Sequence, residues 1–256
     1  MKHTFIEVKE YVMDTVNVFK RYEKKFIMTR AQAEALLPII RTHMCEDPFC
    51  LNGQSYFVRN IYWDTEDNDL IRLSVEKPPY KEKIRLRKYG TYEHSNPEVY
   101  IEIKKKITGI VTKRRISVTP AEAENFLARG KPPQREDYQS QQIIAEICYF
   151  LSTHKVVPKV FISYDRLAFF DKDNPEFRLT YDTNITTRRD HLDFEYGPVG
   201  ESIMDSEHVL MEVKVHDAMP LWFAHSLSEL GIYLGSFSKY GKEFEILKRK
   251  ELIENV

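Results

Sequence analysis

Glycine is scarce in this sequence, and the glycine-rich motifs of common enzyme classes are missing. Only nine glycines occur in 256 residues. The pattern Gly-x-x-x-x-Gly-Lys-Ser/Thr is absent, which excludes a P-loop nucleotide site. Neither Gly-x-Ser-x-Gly nor His-Glu-x-x-His occurs, so the signatures of many serine hydrolases and zinc peptidases are also lacking. Any chemistry must come from side chains that are scattered along the chain.

Cysteine and long apolar runs are scarce as well. The three cysteines, Cys45, Cys50 and Cys148, form no Cys-x-x-Cys pair, and their odd number argues against a secreted disulfide framework. His43 and the first two cysteines match no common zinc spacing, so we interpret these thiols as structural. No signal peptide is visible, and no apolar run approaches the ~18 residues of a membrane span. We therefore expect a cytoplasmic protein.

Neither sign of charge is in large excess. Lys and Arg number 38 against 39 Asp and Glu, which gives a formal net charge of −1, although 30% of the residues are charged. This balance argues against a protein that coats nucleic acid through bulk charge. Hydrophobic residues make up 42% of the chain, enough for a core, and neither a long linker nor a repeat divides it. We predict a single domain over residues 1–256.

Charged side chains recur two residues apart within segments that are typical of β-strands. Residues i, i+2 and i+4 of a strand point to one face, so each segment has one charged face and one apolar face. The charged faces hold Arg21, Glu23 and Lys25; Lys83, Arg85 and Arg87; Glu102, Lys104 and Lys106; Lys113 and Arg115; Arg178 and Asp182; and Glu212 and Lys214. Several such strands together would set cations against cations. A bound polyphosphate would supply the counter-charge, because arginine grips phosphate oxygens in pairs.

The periodicity predicts an α+β fold in which helices cap an antiparallel sheet. Helices are expected after Thr29, between Thr119 and Gly130, and over about 136–152, 218–231 and 238–252. Short connections at 90–96 and 107–110 predict hairpins. Strands are expected near 20–27, 57–64, 82–89, 98–106, 111–118, 159–169, 177–184 and 208–216. Eight antiparallel strands favour a closed eight-stranded β-barrel, because closure removes the sheet edges.

Short motifs that follow one another in order resemble those of one known family. They are Glu23-Lys24-Lys25, Ile61-Tyr62-Trp63-Asp64, Ile84-Arg85-Leu86-Arg87-Lys88-Tyr89-Gly90, Tyr100-Ile101-Glu102-Ile103-Lys104, Tyr164-Asp165-Arg166, Arg178-Leu179-Thr180-Tyr181-Asp182-Thr183, Leu210-Met211-Glu212-Val213-Lys214 and Ser236-Phe237-Ser238-Lys239-Tyr240. From about residue 20 to 245 the chain is similar to the catalytic domain of vacuolar transporter chaperone (VTC) polyphosphate polymerases. These proteins lie within the triphosphate tunnel metalloenzyme superfamily.

The resemblance implies a tunnel that binds ATP and polyphosphate or triphosphate. By motif match, the phosphate-binding side chains would be Lys25, Arg85, Arg87, Lys104, Lys113, Arg166, Arg178 and Lys239. Among these we assign a catalytic role to Arg85, Arg87, Lys104, Arg166 and Lys239. The charged strand faces add Lys83, Arg115 and Lys214 as binding residues. Glu212 would hold Mg²⁺ or Mn²⁺, and Glu23, Glu102 and Asp182 are further hard oxygen donors for such an ion.

The leading hypothesis is a polymerase that transfers the γ-phosphate of ATP to a polyphosphate chain. Arg21 supports it, because the hydrolase and cyclase branch of the superfamily has the signature Glu-x-Glu-x-Lys and Arg21 stands where the first glutamate is expected. Two alternatives stay open: a triphosphate hydrolase with the same fold, and a non-catalytic polyphosphate binder that serves as the partner of a membrane protein. A nucleic-acid binder is disfavoured, because the cations would face the tunnel. The oligomeric state is not indicated.

Overall fold

The described residues of the protein form eleven strands and six helices. The computed structural model describes residues 22–50, 53–90, 98–108, 110–216 and 218–254. The strands are β1 Tyr22–Thr29, β2 Met44–Glu46, β3 Tyr56–Asp64, β4 Tyr80–Tyr89, β5 Val99–Ile107, β6 Ile110–Val118, β7 Val157–Asp171, β8 Arg178–Arg188, β9 Glu201–Ser202, β10 His208–Val215 and β11 Leu234–Gly235. The helices are α1 Arg30–His43, α2 Asp69–Val75, α3 Pro120–Arg129, α4 Tyr138–Thr153, α5 Leu221–Glu229 and α6 Lys239–Glu254.

The strands form one antiparallel sheet, as predicted, but the prediction of a closed eight-stranded barrel is wrong. The strand order is β11-β1-β10-β8-β7-β3-β4-β5-β6, with β2 and β9 paired to β7 and β8. The sheet is strongly curved. Five strands lie between β1 and β5 in the strand order, and yet the side chain of Lys104 on β5 contacts Glu23 on β1 at 3.1 Å. Closure would need β1 to pair with β6. Instead the short strand β11 pairs with β1 on that side, opposite Lys25 and Phe26.

The eight predicted strands are confirmed, each within a few residues of its expected bounds. The two predicted hairpins are also confirmed as neighbouring antiparallel pairs, β4 with β5 and β5 with β6. Three very short strands and α2 escaped prediction. α2 begins after Asn68, whose backbone is left-handed (φ 59°) and whose side chain makes no capping hydrogen bond, so it has no recognisable start signal. Arg21 and the hairpin residues 91–97 lie outside the described residues.

The helices begin and end where local chemistry favours it. Thr29 and Thr119 each form a capping box: the threonine side chain accepts from the backbone N–H of Gln32 or Glu122, whose own side chain accepts from the threonine backbone. α3 ends at Gly130, which has a left-handed φ of 66°. The starts of α1 and α3 and the end of α3 therefore lie where the sequence predicted them.

The helices pack on the apolar faces of the strands and leave the charged faces inside the curve of the sheet. α3 and α4 cover β4 and β5, with Phe126 and Ile147 in one cluster with Ile84 and Ile103. α1 and α5 cover β1 and β10 in a second cluster. Burying apolar surface at about 25 cal/mol per Å² drives this packing. Among the described residues, no helix has the length and apolar character needed to cross a bilayer.

Candidate functional site

A cavity of about 1190 Å³ lies against the charged inner face of the sheet. Six strands and the first turn of α6 contribute cations to it, which brings together residues that are more than 200 positions apart in the chain. The predicted site residues that line the cavity are Glu23, Lys25, Lys83, Arg85, Arg87, Glu102, Lys104, Lys113, Arg166, Glu212, Lys214 and Lys239. The alternation of the strands therefore placed most of the predicted residues on one common surface.

One group of ion pairs is centred on Glu212. Its carboxylate contacts the Nζ atoms of Lys25 and Lys239, each at 3.2 Å, and Nη2 of Arg166 at 3.6 Å. Asp182, which is fully buried, also accepts from Arg166 and from Lys239. Burial alone would raise the pKa of Glu212, but the surrounding Lys239, Lys25 and Arg166 hold it well below its usual range. Glu212 is thus ionised and links three cations from three different elements.

A second group is centred on Glu102, a buried carboxylate on β5. It accepts from Nε and Nη2 of Arg85 at 2.9 and 2.7 Å, and it lies 2.6 Å from Nζ of Lys113 and 3.7 Å from Arg87. Burial opposes ionisation of Glu102, but the three cations outweigh it and lower its pKa well below the ordinary value. The carboxylate consequently orients the two arginines toward the cavity.

Tyrosine side chains hold the arginines from the other side. Arg85 donates from Nη1 to the Tyr62 hydroxyl at 2.7 Å, and Arg87 donates from Nη2 to the Tyr164 hydroxyl at 3.0 Å. Lys239 lies 4.4 Å above the Tyr164 ring. Sequence reasoning assigned no role to Tyr62 or Tyr164, although both belong to the motifs that carried the family resemblance. Fixed cations of this kind are preorganised for an anion, because they need not reorient when it binds.

One end of the cavity is lined by lysines that face one another. In the sheet register Lys83 lies opposite Lys104, which lies opposite Lys113, and Lys81 lies opposite Lys106. Among the described residues, no carboxylate lies within ion-pair distance of Lys81, Lys83 or Lys106; we call these three the lysine mouth. Burial, and then the charges of Lys81 and Lys104, lower the pKa of Lys83 to about 7. Like charges this close are unfavourable unless an anion lies between them.

A further set of charged side chains lies where β1 pairs with β10. Glu23 contacts Lys25 at 3.2 Å and Lys104 at 3.1 Å, and these lysines lower its pKa to about 2 against the effect of burial. Lys214 lies opposite Glu23 in the register, yet burial together with Arg166 and Lys104 lowers its pKa to about 8. The pKa of Lys113 is lowered as well, by burial and by Arg87 and Arg85, in spite of Glu102. The site therefore combines permanently charged arginines with several lysines whose pKa values are depressed.

The remaining three predicted residues do not line the cavity. Arg115 is exposed and lies 4.8 Å above the Tyr100 ring, and Arg178 donates to the backbone oxygen of Pro175. Asp182 lies behind Arg166 and Lys239 and orients them. Their predicted roles in direct substrate or metal binding stay predictions. Lys81 was missed, although it shares the two-residue spacing of Lys83, Arg85 and Arg87 and could have been found from it.

The carboxylates offer a limited set of metal ligands. Within the described part of the chain, no group of three or more His, Cys, Asp or Glu side chains is placed to hold a metal ion. Glu23 and Glu212 are the best-placed pair, because both contact the same Lys25 nitrogen at 3.2 Å. Mg²⁺ bound with a nucleotide commonly takes one or two carboxylates and completes its shell with phosphate oxygens and water. This pair fits that donor set once a metal ion replaces the Lys25 nitrogen that now lies between the two carboxylates, and Glu102 and Asp182 are held by arginines as well.

A family model described as the VTC domain matches residues 20–248, nearly the whole chain. Comparison with curated proteins finds no match. Among solved structures, a candidate adenylate cyclase from Bacillus halodurans is 13% identical over 86% of this chain and 95% of its own, with a TM-score of 0.48. A candidate adenylate cyclase from Vibrio parahaemolyticus is 11% identical over 88% and 97%, with a TM-score of 0.43. A Pyrococcus horikoshii protein is 13% identical over 88% and 99%, with a TM-score of 0.42. No functional conclusion follows from likenesses this distant.

Proposed function

Because this chain belongs to the VTC domain family, we propose that it is a polyphosphate polymerase that transfers the γ-phosphate of ATP to the end of a polyphosphate chain. The family relates the chain to polyphosphate or triphosphate chemistry. The observation that carries the finer proposal is the division of the cavity into two parts. One part has cations locked by carboxylates and tyrosines, and the other is the lysine mouth, where cations face cations.

The locked part suits the triphosphate of the nucleotide. Arg85 and Arg87 on β4 and Arg166 on β7 present planar guanidinium groups, and Lys239 approaches from α6. Phosphoryl transfer requires positioning and charge stabilisation rather than a covalent intermediate. Side chains held by Glu102, Asp182 and the tyrosines supply both without reorganising.

The lysine mouth suits the acceptor chain. Ligand pockets of drug-sized molecules measure roughly 300–1,000 Å³, and this cavity exceeds that range. Lys81, Lys83 and Lys106 have no carboxylate of the described chain beside them, so a run of phosphates would relieve their repulsion. A hydrolase whose substrate is a nucleoside triphosphate would not need such an extension.

The transfer step needs no strong base. A terminal phosphate oxygen of the chain, already ionised, forms a new bond to the γ-phosphorus, and the bond from that phosphorus to the β–γ bridging oxygen breaks. ADP leaves with the bonding electron pair, and the chain gains one phosphate. Glu212 with Glu23 would hold a divalent metal, which when bound would neutralise phosphate oxygens. Arg85, Arg87 and Lys239 hold the transferring group and stabilise its charge.

Incubation of the purified protein with ATP labelled at the γ-phosphate and Mn²⁺ or Mg²⁺ tests the proposal. The expected products are ADP and labelled polyphosphate that lengthens with time on a sizing gel, at one ADP per phosphate incorporated. Release of labelled inorganic phosphate alone would identify a hydrolase. Retention of polyphosphate without turnover would identify a binding module, and either result would refute the polymerase.

A further inference from the structure

Two residues of the family-like motifs, Asp64 and Tyr240, have no place in the chemistry described so far. Asp64 ends β3 and is fully buried. Its Oδ1 accepts from the backbone N–H of Thr65 at 2.8 Å and of Leu70 at 2.9 Å, and its Oδ2 accepts from the backbone N–H of Ile71 at 3.0 Å. The Tyr240 hydroxyl donates to the same Oδ2 at 2.9 Å. One carboxylate therefore joins the end of β3, the start of α2 and the first turn of α6.

This link is next to the cation that α6 contributes to the cavity. Tyr240 directly follows Lys239, whose Nζ contacts Asp182 and Glu212. The Tyr240 ring packs on the Tyr62 ring at 4.8 Å between centroids, and the Tyr62 hydroxyl accepts from Arg85. Asp64 is thus connected to Lys239 through the neighbouring Tyr240, and to Arg85 through the contacts of Tyr240 with Tyr62.

A second polar contact fixes the next turn of α6. Arg189 donates from Nε and Nη2 to the two oxygens of Glu243, at 2.7 and 2.8 Å, and from Nη1 to the Asn68 side-chain oxygen at 3.1 Å. Glu243 lies four residues after Lys239, one helical turn along α6. Both contacts tie α6 to the start of α2, and neither uses a cation of the cavity.

We propose that Asp64 and Tyr240 are positioning residues that hold the first turn of α6 so that Lys239 reaches the triphosphate. The assignment rests on the proposed function, because it takes the cavity as a phosphate site. Lys239 has a flexible stem, and ordering such a side chain costs conformational entropy. A helix start anchored at the neighbouring residue lowers that cost at the moment of binding.

A double-mutant cycle measures the coupling between Tyr240 and Lys239. The full chain and its Tyr240→Phe, Lys239→Ala and double variants are titrated with inorganic tripolyphosphate at fixed salt and pH. We expect Tyr240→Phe to raise the Kd about fivefold, Lys239→Ala to raise it about tenfold, and the double variant to bind no worse than Lys239→Ala. Tyr181→Phe is the matched control, because its buried hydroxyl has no hydrogen-bond partner among the described residues and lies on the outer face of β8.

The outcomes separate this inference from the proposed function. If Tyr240→Phe binds like the parent, or if the two losses multiply in the double variant, the positioning role is refuted while the phosphate site stands. A parent that does not bind tripolyphosphate overturns both. Asp64→Asn provides an independent check: it should show the same coupling to Lys239→Ala, with the folded fraction of each variant confirmed by thermal unfolding.

Discussion

Replacing Lys83 with methionine should stabilise the free protein and weaken its binding of polyphosphate. Lys83 is partly buried, faces Lys104 across the sheet, and has Lys81 nearby, so its pKa falls from 10.5 to about 7. At 1.36 kcal/mol per pK unit, a shift of this size corresponds to roughly 4–5 kcal/mol of unfavourable interaction for the charged form. Water and salt reach the cavity and screen the charges, so we expect the variant to gain about 1–2 kcal/mol in unfolding free energy.

The pH dependence of this gain has a defined sign. Below about pH 7 the Lys83 ammonium is charged in the folded and the unfolded parent, and the folded state bears the full repulsion. Between about pH 7 and 10.5 the folded parent has released the proton while the unfolded chain still binds it, so the stability contributed by this residue rises with pH. The advantage of Lys83→Met is therefore largest near pH 6.5 and shrinks toward pH 10.

Urea unfolding followed by tryptophan fluorescence at pH 6.5 and 9.5 measures the effect. Lys155→Met, at an exposed position between α4 and β7, is the matched control and should leave the stability within about 0.5 kcal/mol of the parent. At pH 6.5 the Kd for long-chain polyphosphate should rise about tenfold in Lys83→Met, because the chain loses a charge-assisted contact with the Lys83 ammonium. A Lys83→Met variant that is less stable than the parent at pH 6.5, or equally shifted at both pH values, would refute the reasoning.

Three further predictions concern the same cavity. Glu212→Gln should lower turnover of labelled ATP about 10²-fold or more, because the proposed metal ion loses a carboxylate ligand. Tripolyphosphate binding without metal should stay intact, because the variant keeps Lys25 and Lys239 and removes only a negative charge beside them; turnover equal to the parent contradicts a role for Glu212. Arg85→Lys should lower kcat about tenfold or more, because lysine keeps the charge but cannot bridge Glu102 and Tyr62; parental kinetics would show that the fork is dispensable. Calorimetry at pH 8 in two buffers of different ionisation enthalpy should detect uptake of about one proton or more on binding of long-chain polyphosphate, because the anion raises the depressed pKa values of Lys83, Lys113 and Lys214; binding without proton uptake would contradict this coupling.

The strand faces could be predicted because alternation is a local property. Arg85 and Arg87 share a face, whatever the rest of the chain does, since successive strand residues point to opposite sides. The capping boxes at Thr29 and Thr119 were predictable for the same reason, as their hydrogen bonds join residues three positions apart. The same rule separates Lys113, which lines the cavity, from Arg114, which lies near Glu146 on the other face. It does not decide how far the cavity extends, because Arg115 shares the face of Lys113 and lies over the Tyr100 ring instead.

The amino-acid sequence by itself thus determined which side chains share a face and where the main strands and several helices lie. Only the tertiary structure decided which carboxylate meets which cation, that β11 rather than β6 covers the edge of β1 opposite Lys25, and that α6 brings Lys239 to Asp182 across 57 positions of the chain. The physical reason is that side-chain direction follows a period of two within each strand. Sheet curvature and long-range register instead depend on the packing of the whole domain.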